Sequence, residues 1–414
     1  MLKVFKFGGA SIKDAESIRN ISKLLQQYSS ERIVIVFSAI AKVTNMLEEV
    51  VDAYVMKNGN EVLALDKVKN LHNTIINDLF DKEELIFDEV NNLFVEIEWM
   101  FEEFPHQDYA YIYDQIVSIG EFLSTKIMSF YLNKIGFNNT FIDVRDIIKT
   151  DNTYRNAKID WEKTSTLINK NIGFQHYITQ GFIGCTSENF TTTLGREGSD
   201  FTASILAFSL DANELVIWKD VPGMMNADPE YFPNAKLFSR ISFDEAIELA
   251  FFGAKIIHPK TIQPLKKKNI PLKIKSFLNP DDEGTLIAEG VNITPSIPSY
   301  IVKEDQVLIS ISDENLSFIV ENHMSQIFSL LSKYSVGVNM MQNSAISFSI
   351  CVDNDKHKIP NILSDLQKDF RVFYNEGLRL YTVRNYTVES LEEMLKGKKI
   401  ILEQKSRNTI QIIA

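Results

Sequence analysis

The chain has 414 residues, 45% of them apolar, and a formal charge of −12 at pH 7. This length and composition allow one large hydrophobic core and a second, smaller one, so we expect two or more domains. The acidic balance argues against nucleic acid or an anionic membrane surface as a main partner. We recognise no signal peptide and no apolar run long enough for a membrane span, and Cys185 and Cys351 lie too far apart for a metal or redox motif. We therefore expect a cytoplasmic protein.

The first part of the chain alternates short β-rich runs with helical patterns. The run LKVFKF at residues 2–7 precedes a helical pattern with Ile18, Ile21 and Leu24 on one face, and RIVIVF follows at 32–37. This order indicates a βαβ unit, and the nearly continuous apolar runs are typical of a parallel sheet covered on both faces. Similar runs recur as far as residue 277, so we predict one α/β domain over residues 1–290, with a helical excursion at about 46–104.

Two glycine-containing stretches each lie just before a helical pattern, KFGGAS at residues 6–11 and GREGSD at 195–200. Glycines at such corners let an anion approach the backbone amides, and the helix start adds positive potential. KFGGAS has neither the Walker nor the dinucleotide spacing, and a tight turn without a ligand is the alternative for it alone. Together the two stretches predict one anionic ligand held from both sides, with Arg196 supplying a cation and Asp200 a carboxylate.

A third stretch, WKDVPGMMNADP at residues 218–229, predicts a loop directly after a strand. Loops at the carboxyl ends of parallel strands are where α/β sheets bind ligands. On this segment alone, an ordinary exposed loop is the better interpretation.

The segment AEGVNITPSIPSY, residues 288–300, is rich in turn-forming and polar residues and predicts a domain boundary. The pattern beyond it is strand, helix, strand, strand, helix and strand, followed by a further helix and two strands that end at TIQIIA. This order predicts a small α+β unit and a partial copy of it over residues 300–414. Either an earlier strand near residues 300–302 or a partner subunit then completes the partial copy.

Seven segments occur in the order found in aspartate kinases of the amino acid kinase family, which the chain resembles through them. They are KFGGAS, FSAIAKVTNML, SIGEFLS, GREGSDFTA, WKDVPGMMNADP, FGAKIIHPKTI and FLNPDDEGTLI, all between residues 3 and 287. The C-terminal repeat is similar to the tandem ACT modules of these kinases. The resemblance implies an amino acid kinase (carbamate-kinase-like) αβα sandwich at residues 1–290. It also implies an ACT-like α+β regulatory region at 300–414, with its second unit incomplete.

The same resemblance implies transfer of the γ-phosphoryl group of ATP to the side-chain carboxylate of L-aspartate. Lys6 matches the lysine that faces the transferring phosphate, and Asp200 matches the aspartate that orients this lysine. Arg196 fits the α-carboxylate of aspartate, since a guanidinium can donate two parallel hydrogen bonds, and Glu121 fits the α-amino group. The other positions that match contacts to aspartate are Ser38, Thr44 and Ser199. The positions that match contacts to nucleotide are Lys6, Gly8, Gly9, Lys219, Asp220, Met225 and Lys255.

Further expectations concern the metal ion, the effector and the assembly. Mg²⁺ is expected to bridge the β- and γ-phosphates mostly through water, without dedicated protein ligands. ACT modules imply regulation by an amino acid, with lysine and threonine as the candidate effectors, and a pure dimerisation unit is the alternative. We also expect a homo-oligomer.

Four positions depart from the family pattern: Ala10, Glu197, Met225 and Glu230. Glu197 stands where the family has glycine, and its carboxylate would repel a phosphate unless the side chain points outward. We therefore carry two main hypotheses, an active aspartate kinase and a catalytically weak regulatory protein that binds ATP and an amino acid on the same fold. A sibling amino acid kinase with another acceptor is the third.

Overall fold

The computed structural model of the chain describes residues 1–102, 108–254, 256–313 and 321–414. The chain forms two compact units. The first comprises Met1–Met224, Leu237–Ile247 and Lys255–Pro295, and the second comprises Met225–Lys236, Glu248–Ala254 and Ser296–Ala414. Two short segments that precede residue 290 therefore belong to the second unit, which the sequence pattern does not indicate.

The strands of the first unit form an eight-stranded sheet and a separate two-stranded hairpin of β5 and β6. The large sheet has the order β3-β4-β2-β1-β7-β9-β10-β8, and only the pair of β9 and β10 is antiparallel. The strands are β1 (Leu2–Phe7), β2 (Arg32–Phe37), β3 (Thr140–Ile142), β4 (Tyr177–Gln180), β5 (Ile183–Cys185), β6 (Thr191–Thr193), β7 (Glu214–Lys219), β8 (Arg240–Ser242), β9 (Leu272–Ser276) and β10 (Thr285–Ala288).

Helices connect these strands, as the alternating pattern predicts. They are α1 (Ala15–Gln26), α2 (Val43–Met56), α3 (Glu61–Leu79), α4 (Ile86–Glu102), α5 (Tyr109–Val117), α6 (Ile119–Lys134), α7 (Val144–Ile147), α8 (Trp161–Asn171), α9 (Gly198–Ser209), α10 (Phe243–Phe252) and α11 (Pro259–Lys268). The predicted helical excursion corresponds to α2, α3 and α4, although its last residues, 103 and 104, lie outside the described ranges. Among the described residues, no helix is both long enough and apolar enough to cross a bilayer.

Aromatic packing holds the central strands together close to their carboxyl ends. Phe7 of β1 stacks on Phe37 of β2, with ring centroids 5.4 Å apart, and on Trp218 of β7, with centroids 5.9 Å apart. All three side chains are almost fully buried. Because side chains alternate along a strand, Phe5 and Phe7 point to one face of the sheet and Lys6 to the other. The stack therefore stabilises the strand end from which Lys6 projects.

The second unit is an antiparallel sheet of order β12-β13-β11-β14-β16-β15 with three helices. Ile309, Ile350, Ile327 and Ile362 are fully buried in one of its cores. The strands are β11 (Ser299–Ser312), β12 (Val338–Asn343), β13 (Ser347–Asp353), β14 (Arg371–Arg384), β15 (Leu402–Lys405) and β16 (Thr409–Ile413). The helices are α12 (Glu321–Lys333), α13 (Ile359–Leu366) and α14 (Val388–Leu395).

The long strand β11 serves both halves of this sheet. Its later part pairs with β13 and with the first half of β14, whereas Ser299–Lys303 pairs with the second half of β14, next to β16. Register shifts between Lys303 and Leu308 separate the two parts. The partial copy is therefore completed by an earlier strand of the same chain, which is the first of the two completions that the sequence left open.

Candidate active site

A cavity of about 440 Å³ lies in the first unit, beside the carboxyl ends of four neighbouring strands. Lys6 is the penultimate residue of β1, Ser38 follows β2, Phe182 lies just beyond β4, and Lys219 ends β7. These strands are parallel, so their carboxyl ends meet at one edge of the sheet. Ligands of open α/β sheets bind at this edge, and the cavity is thus the candidate active site.

A cluster of two lysines and one aspartate lines the cavity, with Lys6 and Asp200 buried and Lys219 half-buried. Lys6 Nζ lies 2.6 Å from Asp200 Oδ1, and Lys219 Nζ lies 3.5 Å from Asp200 Oδ2. Lys219 also donates a hydrogen bond to the carbonyl oxygen of Ile256. Burial alone would raise the pKa of Asp200, but the two ammonium groups outweigh it and hold the pKa below its ordinary value. The cluster therefore carries a net positive charge of one, suited to an anionic ligand.

Two glycines let helix α9 bring Asp200 to this place. A Cβ at Gly181 would lie 2.5 Å from Ser199 Cβ, and a Cβ at Gly198 would lie 2.7 Å from the Phe182 ring. Thr202 Oγ1 accepts a hydrogen bond from the Phe182 amide at 3.0 Å and fixes the first turn of α9 against the loop after β4. A side chain at either glycine position would push the helix start, and with it Asp200, away from Lys6.

Glu121 lies in the first turn of α6 and is 3% exposed. Among the described residues its Oε2 atom has no hydrogen-bond partner. Burial raises the pKa of Glu121 to about 8, because Lys6 and nearby backbone amides only partly offset the loss of hydration. Ser124, one turn later, donates a hydrogen bond of 2.8 Å to the Ser38 carbonyl oxygen and ties α6 to the loop after β2. Glu121 is therefore a buried carboxyl group with one oxygen, Oε2, that lacks a donor among the described residues.

Glu197 immediately precedes α9, and its side chain lines the cavity. Its backbone has a φ of 54°, in the left-handed region that favours glycine. Its Oε2 atom is buried and, within the described parts of the chain, has no hydrogen-bond partner. Burial raises the pKa of Glu197, and Lys219 only partly offsets this effect. The outward orientation that would avoid repulsion with a phosphate is thus not the one observed.

Eight of the predicted site residues line the cavity together: Lys6, Ser38, Thr44, Glu121, Arg196, Ser199, Asp200 and Lys219. They come from segments that are far apart in the sequence, so only the fold brings them together. Their roles toward aspartate and nucleotide stay predictions.

Of the other predicted site residues, Gly8, Gly9, Asp220 and Met225 are not among those that line the cavity. A Cβ at Gly8 would lie 3.5 Å from Lys6 Nζ, and a Cβ at Gly9 would lie 2.5 Å from the Ala39 carbonyl oxygen. Gly9 therefore makes room for the backbone of the loop after β2. Asp220 is exposed, Met225 is a half-buried residue of the second unit, and Lys255 lies outside the described residues.

Some lining residues were not predicted from the sequence as binding residues: Tyr113, Arg155, Phe182, Gly195, Glu197 and Gly198. Glu197 and the glycines belong to the GREGSD stretch, which its glycines and its place before a helical pattern mark as a candidate anion site. Tyr113 lies in an apolar helical pattern and Arg155 in a polar loop, and neither context signals a ligand. His258, in contrast, caps α11 by accepting a hydrogen bond from the Lys260 amide, a structural role.

The donor set of the cavity fits a magnesium ion that arrives with a nucleotide. In the described ranges no group of three or more His, Cys, Asp or Glu side chains is placed to hold a metal. Asp200 is occupied by two ammonium groups, which leaves the unpartnered oxygens of Glu121 and Glu197 as carboxylate donors. Mg²⁺ bound mainly by phosphate oxygens and water requires no more than one or two protein carboxylates.

Comparisons with known proteins agree with this geometry. Residues 1–276 match the model of the amino acid kinase family. The chain is 32% identical over 391 residues to the chloroplastic aspartokinase 1 of Arabidopsis thaliana, covering 88% of this chain and 67% of that protein. It belongs to the aspartokinases of the amino acid kinase family. The lysine-sensitive aspartokinase 3 of Escherichia coli K12 is 29% identical over 392 residues, which cover 91% of this chain and 85% of the relative.

Two solved structures resemble this aspartokinase over its whole length. E. coli aspartokinase III in complex with aspartate and ADP, in the R-state, superposes with a TM-score of 0.86 at 26% identity and covers 100% of this chain and 96% of that one. The same enzyme with lysine and aspartate, in the T-state, gives a TM-score of 0.83. The predicted family and fold class are therefore confirmed, whereas the assignment of the C-terminal region to ACT modules stays a prediction.

Proposed function

We propose that this aspartokinase is an active aspartate kinase. It transfers the γ-phosphoryl group of ATP to the β-carboxylate of L-aspartate and forms 4-phospho-L-aspartate, the first step toward lysine, threonine and methionine. The observation that carries the proposal is the buried ion pair of Lys6 and Asp200, in a cavity that Arg196 and Glu121 also line. A structure solved with aspartate and ADP, 26% identical to this chain, supports it.

The chemistry requires positioning and charge neutralisation rather than a general base. The accepting carboxylate is already anionic, so no proton has to be removed before it attacks the γ-phosphorus. The bond to the β-phosphate breaks as the bond to the carboxylate oxygen forms, and negative charge crowds between them. Lys6 offsets this charge, and Asp200 holds the ammonium group in place from within the fold.

The acceptor is bound, in this proposal, by groups that match both ends of the amino acid. The Arg196 guanidinium holds the α-carboxylate, and Glu121 accepts hydrogen bonds from the α-ammonium group. Ser38, Thr44 and Ser199 complete the contacts from three other segments that line the cavity. The missing partner of Glu121 Oε2 is then supplied by the substrate.

The nucleotide is proposed to lie on the side of Lys219, next to Lys6, Gly8 and Gly9. Asp220, Met225 and Lys255 are the further predicted contacts to it. When bound, Mg²⁺ would shield the β- and γ-phosphates from each other, with Glu197 as the available protein carboxylate. Lys219 supplies a second ammonium group to this side of the cluster.

Residues 1–290 are proposed as the catalytic domain and 300–414 as an ACT-like regulatory region that binds an amino acid, lysine or threonine. The solved T-state relative contains lysine as well as aspartate. We also propose a homo-oligomer. A direct test is calorimetric titration of the protein with lysine and, separately, with threonine.

The activity is tested by trapping the acyl phosphate with hydroxylamine in the presence of ATP and aspartate. We expect formation of aspartyl hydroxamate that depends on both substrates and on Mg²⁺. Absence of product at saturating substrates, together with normal binding of ADP, would instead support the weak regulatory protein, which the comparisons do not favour. Product with glutamate but not with aspartate would point to a sibling kinase.

A further inference from the structure

Arg155 lines the same cavity, although no sequence pattern marks it. Its backbone has a φ of 66°, in the left-handed region that a side chain of this size rarely adopts. Asp114 stabilises this backbone conformation, because its two carboxylate oxygens accept a hydrogen bond from the Arg155 amide at 3.2 and 3.0 Å. Asp114 is buried and also accepts hydrogen bonds from the amide and hydroxyl of Thr193. Strained backbone that is fixed in this way clusters at binding sites.

The guanidinium of Arg155 is held on two tyrosine rings. Its Cζ atom lies 4.3 Å from the centroid of the Tyr113 ring and 5.5 Å from that of Tyr109. The Tyr113 hydroxyl donates to Glu48, and the Tyr109 hydroxyl donates to Asp52, each at 2.8 Å. Both rings are therefore anchored, and the cation that stacks on them is oriented before any ligand binds.

This oriented cation has no carboxylate of its own. Among the described residues, the exposed side chain of Arg155 forms no ion pair within 4.0 Å, whereas the two lysines of the cavity, Lys6 and Lys219, share Asp200. An arginine that lines a cavity, is pre-oriented and lacks an anionic partner is suited to bind an anion from solution.

The neighbours of Arg155 place it beside the proposed acceptor rather than the nucleotide. A Cβ at Gly195 would lie 3.2 Å from the Arg155 carbonyl oxygen, so the Arg155 loop packs directly against the residue before Arg196. On its other side Arg155 stacks on Tyr113, which lines the cavity together with Glu121. Arg155 thus packs against Gly195, the neighbour of Arg196 in sequence, and against Tyr113, and it lines the same cavity as Arg196 and Glu121.

We propose that Arg155 binds a carboxylate of the amino diacid as a second guanidinium beside Arg196, and so helps to select an acceptor with two carboxylates. This inference rests on the proposed function and adds a specificity-determining residue to it. Arg155 has no part in moving the phosphoryl group in this proposal, so its loss affects aspartate affinity more than kcat.

The test compares Arg155→Gln, Arg155→Lys and Arg155→Gly by titration calorimetry with L-aspartate and, separately, with ADP. We expect the Gln and Gly variants to bind aspartate about tenfold more weakly or worse, as for other lost charge-assisted hydrogen bonds, and to bind ADP as the wild type does. Arg155→Lys should lie between them. Arg155→Gly also removes the left-handed strain, so a stable protein with weak aspartate binding cannot be attributed to misfolding. Arg19→Gln, which removes the same charge from a partly exposed pair with Asp78, is the control.

Two analogues identify the carboxylate concerned. L-Asparagine lacks the side-chain carboxylate, and the α-amide of aspartate lacks the other. The analogue that lacks the carboxylate bound by Arg155 should bind to Arg155→Gln with the same affinity as to wild-type protein. Equal losses for aspartate and both analogues would overturn the proposal, as would weakened ADP binding with aspartate binding unchanged. If wild-type protein makes aspartyl phosphate but Arg155→Gln keeps wild-type affinity for aspartate, the role proposed for Arg155 is wrong and the proposed function stands. If wild-type protein makes no aspartyl phosphate, the proposed function is wrong.

Discussion

The Lys6 ammonium group and the Asp200 carboxylate form a buried ion pair of 2.6 Å between the end of the first strand and the first turn of helix α9. Asp200 has a second cation, Lys219, at 3.5 Å, so the carboxylate is shared between two ammonium groups. Because the single negative charge of Asp200 is shared between two ammonium groups, it only partly neutralises the charge of Lys6. A ligand with several negative charges can therefore enter this site without displacing a protein carboxylate from Lys6.

We predict that Lys6→Met lowers kcat by at least about a hundredfold, because removal of one electrostatic group from a transition state costs on this order. Lys3→Met is the matched control, since Lys3 lies in the same strand but pairs with Glu31 and Glu214. The hydroxylamine assay measures both. Equal activity of the two variants would show that Lys6 does not face the transferring phosphate.

Aspartate binding should depend on pH through Glu121. The pKa of Glu121 in the ligand-free protein is about 8, so at pH 6 the carboxyl group is protonated and has no negative charge to attract an ammonium group. We expect affinity for aspartate to rise from pH 6 to 8 and then to level off. At pH 7 binding should release a proton, which calorimetry in buffers of different ionisation enthalpy detects. Glu121→Gln should bind weakly, with no proton release; release equal to wild type would contradict the assignment.

The stability of the ligand-free protein should also depend on the ionisation of Glu121. It should fall as the pH rises, whereas the affinity for aspartate rises. Its folded pKa of about 8 lies above the ordinary value of 4.5, so the unfolded state loses this proton at a lower pH than the folded state. The contribution of Glu121 is then most favourable below about pH 4.5 and is lost progressively up to pH 8. Chemical denaturation of Glu121→Gln should therefore show a stability gain over wild type that grows between pH 5 and 8. A pH-independent difference would argue against the buried carboxyl group.

Replacing Glu197 by glycine should strengthen nucleotide binding in the absence of Mg²⁺, and it should raise the melting temperature. The change removes a carboxylate from the cavity and relieves a left-handed φ of 54°, which costs a non-glycine residue about 1 kcal/mol. Glu197→Gln separates the two effects, because it removes the charge but keeps the side chain. In the absence of Mg²⁺, both variants should bind ADP several-fold more tightly than wild type. Unchanged ADP affinity in both would mean that Glu197 does not approach the phosphates.

Gly181→Ala should damage both stability and substrate binding, because the new Cβ would lie 2.5 Å from Ser199 Cβ and would displace the start of α9. We expect a loss of about 1–3 kcal/mol of stability, as for other overpacked sites, and a raised KM for aspartate. Gly337→Ala is the control, since a Cβ at Gly337 would meet nothing within 4 Å. If both variants keep wild-type melting temperatures, the close approach of α9 to Gly181 is wrong.

Local sequence patterns determined much of this protein. The alternation of apolar strands with amphipathic helices predicts the βαβ order. A strand that is buried on both faces needs a continuous apolar run, whereas a helix that is buried on one face needs only an apolar stripe. Lys6, Glu121, Arg196 and Asp200 were predicted as site residues from ordered motifs, and the fold brings all four to one cavity. The resemblance to aspartate kinases, carried by the order of these motifs along the chain, singles out these four residues.

The tertiary structure decided what depends on contacts between distant segments. Gly9 accommodates the Ala39 carbonyl oxygen rather than lining the cavity, because the loop after β2 packs against it. Glu197 lines the cavity and has a buried Oε2 atom, an arrangement that the sequence left open. Arg155 is oriented by Tyr113 and Asp114, which local sequence does not connect to it. Residues 299–303 complete the second half of the C-terminal sheet by pairing with a strand that lies much later in the chain. Hydrogen bonding and close packing act across space, so a local pattern supplies the candidates and the fold selects their partners.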